Sequence, residues 1–233
     1  MDDTIMALAT PSGAGAISVI RMSGKDAFVI ADKVFSAKGK KTISNSDSHT
    51  IIFGDILDGS ELVDEVLVSV FRNPKSFTGE DSVEISCHGS TFIQKRILNL
   101  LSKTGCRMAR PGEYSMRAFL NRKMDLSQAE AVADLIASSS EAAHKVAMHQ
   151  MRGGFANELK VLREELVHFA SLIELELDFA EEDVEFADRS QMIELINRII
   201  STIDRLIGSF ELGNVIKEGL QVAIIGEPNA GKS

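Results

Sequence analysis

The feature that most constrains this chain is a change of apolar period near its middle. Up to Gly112, short apolar runs with a spacing near two are interrupted by two helical stretches. From Glu113 until Gln221 apolar residues recur at spacings of three and four, and no strand-like run interrupts them. Side chains alternate across a strand but return every 3.6 residues on a helix, so the change separates two blocks. Interleaved βαβ units would mix the two periods throughout. The class expected is α+β: a mixed N-terminal domain over residues 1–118, an all-α helical domain over 119–215, and the start of a third domain over 216–233.

In the first block, residues 4–9 read as a strand and Thr10-Pro11-Ser12-Gly13-Ala14-Gly15 as a turn. Residues 16–22 form a second strand with Arg21 near its end, and Ser23 is positioned to cap a helix over 25–35. Residues 38–48 are polar and read as a loop. A hairpin follows, with strands over 50–56 and 62–71 around Asp58-Gly59. Pro74, Ser76, Thr78 and Gly79 mark a loop over 73–81. Residues 82–86 are a strand in which Val83 and Ile85 share one face and Ser82, Glu84 and Ser86 the other. A helix over 91–103 and a strand over 107–110 complete the block.

In the second block, Ser127-Gln128-Ala129-Glu130 has the form of a capping box. The helix it opens is re-capped at Ser138-Ser139-Ser140 and broken at Gly153-Gly154. Phe155, Leu159, Leu162, Leu166, Phe169 and Ile173 then form a stripe suited to helix packing. An acidic connector spans 178–188. Ser190 is placed to cap a last helix whose face is Ile193, Ile196, Ile200, Ile203, Ile207 and Phe210, and Gly213 and Gly219 bracket its exit.

That exit leads to Gly226-Glu227-Pro228-Asn229-Ala230-Gly231-Lys232-Ser233, a full phosphate-binding loop motif after the apolar run Val222-Ala223-Ile224-Ile225. Its glycines let successive backbone N–H groups turn toward one phosphate. Lys232 is placed for the β/γ phosphates and the Ser233 hydroxyl for Mg²⁺. The remainder of such a nucleotide-binding domain would lie beyond Ser233, so residues 1–233 alone are not expected to hydrolyse a nucleotide.

The net charge of −9 argues against a free-standing nucleic-acid binder and leaves any RNA contact local or supplied by a partner. The acidic start Met1-Asp2-Asp3 is unlike a signal peptide, and no apolar run approaches the ~20 residues of a membrane span. Cys87 and Cys106 lack metal-ligand spacing. A cytoplasmic location, with no membrane association, is the expectation.

Glu84 is an acid on a strand with apolar neighbours. It reads either as a solvent-facing residue or as a carboxylate able to accept two parallel hydrogen bonds from an amino-pyrimidinone edge. Arg21 is a surface cation or an anchor for a ligand carboxylate. Lys123, in Asn121-Arg122-Lys123, is a solvated charge or part of a basic spot between domains. Cys87-His88 suggests a nucleophile and base, but adjacent strand residues point to opposite faces, which works against it. His144 and His149 are five apart, out of line for metal binding on a helix, so they and His168 read as structural.

Further residues carry a resemblance. Asp3-Thr4-Ile5, Ala9-Thr10-Pro11-Ser12-Gly13, Phe77-Thr78-Gly79-Glu80-Asp81, His88-Gly89, Ala109-Arg110-Pro111-Gly112-Glu113-Tyr114, Arg117-Ala118-Phe119-Leu120-Asn121, Asp125-Leu126-Ser127-Gln128-Ala129-Glu130-Ala131 and the phosphate loop are collinear with one family. Across the whole chain the sequence resembles the tRNA-modification GTPase family MnmE, also called TrmE. The resemblance implies an N-terminal domain similar to the folate-binding domain of aminomethyltransferases. It also implies a homodimer that holds 5-formyltetrahydrofolate (or 5,10-methylenetetrahydrofolate) near its interface.

By motif position the family's folate contacts fall on Arg21, Glu84 and Lys123. Its GTP contacts fall on Asn229, Ala230, Gly231, Lys232 and Ser233, with K⁺ at Asn229 and Mg²⁺ at Ser233. The implied reaction adds an aminomethyl-type group to C5 of the wobble uridine of tRNA. It runs with an FAD-containing partner, MnmG (GidA), in a heterotetramer, and is coupled to potassium-dependent GTP hydrolysis. The rest of the GTPase domain and a C-terminal Cys motif fall outside residues 1–233. The phosphate loop alone fits equally a regulatory switch GTPase in ribosome assembly whose front domains bind a partner.

Overall fold

The computed structural model describes residues 3–39, 41–178 and 188–218. The phosphate loop at 226–233, the apolar run before it, and most of the acidic connector lie outside the described residues. The chain divides into two compact units, Met1–Asp125 and Leu126–Ser233.

The first unit is built on one seven-stranded sheet in the order β3-β4-β5-β6-β2-β1-β7. Its strands are β1 (Ile5–Leu8), β2 (Ile17–Ser23), β3 (Phe35–Ala37), β4 (Thr50–Asp58), β5 (Glu61–Phe71), β6 (Ser82–His88) and β7 (Arg107–Met108). All neighbours are antiparallel except β1 and β7. Three helices belong to the unit: α1 (Ala27–Asp32), α2 (Thr91–Lys103) and α3 (Glu113–Leu120).

Alternation along the central strands decides the sheet's two faces. Ile20, Met22, Val66, Val68, Val70, Val83 and Ile85 point into one core with Phe28, Ile30, Ile97 and Leu101 from α1 and α2. The residues between them point the other way, and there Ile51, Phe53 and Leu67 stay exposed at 68%, 49% and 48%. An antiparallel sheet with one packed face and one open face is the architecture such alternation favours.

Two local expectations differ from the structure. The helix expected over 25–35 with Ser23 as its cap runs only from Ala27 to Asp32: Ser23 is the last residue of β2, Asp26 stands at the cap position, and Phe35–Ala37 instead pairs with β4 as the edge strand β3. The Asp32 carboxylate accepts from the Ile43 and Ser44 amides at 2.9 and 3.0 Å, which ties the following loop back and buries Ile43. Phe35 also packs where only a glycine fits: a Cβ on Gly54 would lie 2.6 Å from its ring. The first unit, expected to end at residue 118, runs on to Asp125. The turn after α3 is bound to it, because Asn121 donates to the Thr78 carbonyl at 2.8 Å and Lys123 to the Pro74 carbonyl at 3.0 Å.

The second unit contains α4 (Leu126–Ala137), α5 (Glu141–Met151), α6 (Gly154–Asp178) and α7 (Arg189–Glu218). Ser140 caps α5, accepting from the Ala143 amide at 3.1 Å. Gly153 takes a φ of 77°, which lets the chain turn between α5 and α6. Two helices begin ahead of the serine the sequence suggests as their cap. α4 begins at Leu126, so Ser127 lies inside it and Asp125 stands before its first turn. At α7, Asp188 is the capping side chain, accepting from the Ser190 amide at 2.8 Å, and Ser190 lies within the helix. α7 also continues through Gly213 to Glu218. α6 and α7 run antiparallel, joined by Glu176–Arg189 at 2.9 Å and by Glu165–Arg198 and Glu158–Arg205. Along α6, Leu162 and Phe169 are buried whereas Leu159 and Leu166 are 45% and 44% exposed.

Candidate functional site

On the open face of the first unit, β2 and β6 bring Arg21 and Glu84 directly opposite each other. Arg21 Nη2 lies 2.6 Å and Nε 2.8 Å from the same oxygen, Glu84 Oε1. Both side chains are partly exposed. The Arg21 guanidinium also lies over two aromatic rings, 5.7 Å from the centre of Phe77 and 5.8 Å from that of Tyr114. The Tyr114 hydroxyl donates to the Arg21 carbonyl at 2.7 Å, and its burial pushes its pKa well above the usual phenol value. Tyr114 is therefore a ring packed against the Arg21 guanidinium and a tether for β2.

The pair stands in a cleft of about 190 Å³ lined by Arg21, Phe71, Ser76, Phe77, Thr78, Ser82 and Glu84. Phe71 and Phe77 supply ring surface, and the hydroxyls and carboxylate supply hydrogen-bonding groups. Apolar walls with a few convergent polar groups suit a flat heterocycle with a polar edge. Arg21 engages Oε1 twice, so Oε2 is the oxygen left for a ligand. Acceptance through both oxygens, as the sequence reading had it, requires Arg21 to release Oε1.

Lys123 does not line this cleft. It braces the loop that does: its Nζ donates to the Pro74 carbonyl, and its stem packs on Gly79. Gly79 has φ +76°, and a Cβ there would lie 3.0 Å from Lys123 Cγ.

Cys87 and His88 diverge, as strand alternation demands. Cys87 is buried, and desolvation lifts its thiol to about 11, with the Asp64 charge adding to the rise. His88 is exposed, and its Nδ1 lies 2.6 Å from Asp64 Oδ1. Among the described residues no group of three or more His, Cys, Asp or Glu side chains could hold a metal ion. No helix among the described residues is long and apolar enough to cross a membrane.

Sequence reasoning missed the cleft's supports. Asp3, Glu80, Arg107, Glu113 and Arg117 form one charge network. Arg117 is 1% exposed and its guanidinium lies 2.7 Å from Asp3 Oδ1, 3.1 Å from Glu80 Oε2 and 3.2 Å from Glu113 Oε1. The i, i+4 spacing of Glu113 and Arg117 was visible, but their burial was not.

Residues 4–123 match the family model described as the N-terminus of the GTP-binding protein TrmE, and residues 126–226 match the MnmE helical domain. Proteins named tRNA modification GTPase MnmE are 64% identical over 231 residues in Flavobacterium psychrophilum, 60% over 233 in Christiangramia forsetii and 61% over 232 in Bacteroides fragilis. These matches cover 99%, 100% and 99% of the chain, and 50%, 49% and 50% of the relatives, so the chain spans about half the length of the curated relatives it matches. Two family models that follow one another along the chain, and identity of this depth from end to end, leave one assignment: the chain belongs to the MnmE family of tRNA modification GTPases.

Proposed function

We propose that this chain is the folate-binding and helical portion of a GTPase that modifies C5 of the tRNA wobble uridine. The observation that carries the reading is the Arg21–Glu84 pair in an aromatic-walled cleft, with one carboxylate oxygen left for a ligand. The residues fit a reduced folate. Glu84 Oε2 accepts from the amino-pyrimidinone edge of 5-formyltetrahydrofolate or 5,10-methylenetetrahydrofolate. Arg21 fixes that carboxylate and offers its charge to the anionic part of the ligand. Lys123 acts through the loop it braces, and serves as an anion contact only if its amine leaves the Pro74 carbonyl. When bound, the folate supplies the one-carbon unit.

The remaining assignments rest on the sequence motif and the family. GTP is bound by Asn229, Ala230, Gly231, Lys232 and Ser233, with K⁺ at Asn229 and Mg²⁺ at Ser233. The protein works in the cytoplasm as a homodimer joined through its N-terminal domain, together with tRNA and the FAD-containing partner MnmG. The domain plan is a folate-binding and dimerisation domain, a helical domain and the start of a GTPase domain.

The test is calorimetric titration of the full-length protein with 5-formyltetrahydrofolate. Wild type binds, and Glu84→Ala weakens binding by roughly 10- to 100-fold, the range for losing a hydrogen bond to a charged group. Absence of binding by wild type, or equal affinity in the variant, contradicts the reading.

A further inference from the structure

Beside the Arg21–Glu84 pair, and on the same sheet face, stands a second cross-strand pair. Ser23 lies two residues beyond Arg21 on β2 and opposite Ser82, two residues before Glu84 on β6. The Ser23 hydroxyl donates to Glu80 Oε2 at 2.7 Å and lies 2.7 Å from Thr78 Oγ1 and 3.3 Å from Ser82 Oγ. Glu80 is in turn gripped by Arg117, whose Nη1 is 3.2 and 3.1 Å from its two oxygens. Thr78 and Ser82 belong to the cleft lining.

Hydrogen-bond direction along this chain follows from the groups present. A carboxylate only accepts, and a serine hydroxyl has one hydrogen. The Ser23 hydrogen is committed to Glu80, so Ser23 accepts from Thr78 and Ser82. The Glu80 amide donates to Thr78 Oγ1 at 3.2 Å, so Thr78 accepts there while its one hydrogen goes to Ser23. The Thr78 hydrogen is taken up by Ser23 and the Ser82 hydrogen by Ser23 or by the Glu80 carbonyl, 3.4 Å away, so these two lining hydroxyls keep only lone pairs for a ligand.

We infer that the Arg117–Glu80 pair, acting through Ser23, sets the polarity of this hydroxyl cluster, so that Thr78 and Ser82 meet a ligand as acceptors only and, with Glu84, select a ligand edge carrying N–H donors. The inference rests on the folate reading of the cleft and adds the residues that tune its specificity. Arg117, Glu80 and Ser23 are positioning residues. Glu80→Gln keeps the shape of the side chain but introduces an amide that can donate to Ser23. The Ser23 hydrogen is then released, and the polarity of Thr78 and Ser82 is no longer fixed.

The experiment measures the affinity of the full-length protein for 5-formyltetrahydrofolate and for its analogue with the 2-amino group replaced by methyl. The readout is the ratio of the two, which a purely structural role would leave unchanged. Wild type prefers the amino form by about tenfold or more, the value of one hydrogen bond of this kind. Glu80→Gln and Ser23→Ala reduce that preference several-fold, and combined they do little more than either alone. Melting curves identify folded variants, and Ser23→Ala carries the test if Glu80→Gln does not fold. A preference kept intact in the folded variants overturns the inference and leaves the folate reading standing. Failure of wild type to bind either compound removes that reading, and the inference with it.

Discussion

Arg21 and Glu84 face each other across β2 and β6, with two guanidinium nitrogens on one carboxylate oxygen at 2.6 and 2.8 Å. Their side chains are 32% and 26% exposed. Ion pairs that keep this much water contribute little, about 0–1 kcal/mol. Glu84→Gln is therefore expected to change the free energy of urea unfolding by no more than about 1 kcal/mol while weakening ligand binding. A loss of several kcal/mol would instead make the pair a structural tie.

Arg117 is the opposite case. It is 1% exposed and contacts Asp3, Glu80 and Glu113. Removing one partner of a buried charge cluster leaves the others desolvated and uncompensated, at a cost of about 3–5 kcal/mol. Arg117→Met should lower the unfolding free energy by that amount, measured by denaturant titration. A change below about 1 kcal/mol would mean that the acids find water.

The same cluster makes stability depend on acid. Arg107 above all, with the Arg110 amide and Arg117, holds the Glu113 carboxyl at about 2 against an ordinary 4.5. Native Glu113 stays ionised where the unfolded chain binds a proton. Its contribution is thus complete above pH 4.5, declines as pH falls, and is gone near pH 2. Unfolding free energy should fall across that window, and Glu113→Gln should flatten part of the slope. Equal slopes in both proteins would contradict the assignment.

Both cysteines should be inert in the folded protein. Burial lifts the Cys87 thiol to about 11 and the Cys106 thiol to about 12, so little of the reactive thiolate forms at pH 8. Alkylation by iodoacetamide at pH 8 is expected to be slow natively and rapid in denaturant. Fast modification of Cys87 in the native state would reopen a nucleophilic role.

Gly79 tests the loop that walls the cleft. Its φ of +76° is unfavourable for a side chain, and a Cβ would crowd Lys123 and Asn121 at 3.0 and 3.2 Å. Gly79→Ala should cost about 1–3 kcal/mol and weaken ligand binding together with it. Unchanged stability and affinity would show that the loop relaxes freely.

Much of this was legible in the sequence because it rests on alternation. The spacing of Val83 and Ile85 put Glu84 on the face away from the core, and the 3.6-residue period separated the helical block. What was not legible depends on partners distant in the chain. β3 is held by β4 and not by its own propensity, and its edge position overrode the helical pattern of residues 25–35. Asp188 displaced Ser190 as a cap because both are good capping residues two positions apart, and their order alone does not decide between them. The pairing of Arg21 with Glu84 required the β2–β6 register, and the burial of Arg117 required knowing that Asp3, Glu80 and Glu113 converge. The motif position of Lys123 was visible in the sequence, but its bond to the Pro74 carbonyl was not.

The most direct measurement is a crystal structure of the full-length protein with 5-formyltetrahydrofolate bound. The account predicts the pterin ring in the cleft between Phe77 and Glu84, with Glu84 Oε2 within about 3 Å of a ligand nitrogen. A ligand seated elsewhere, with Arg21 and Glu84 paired to each other and untouched, would contradict it.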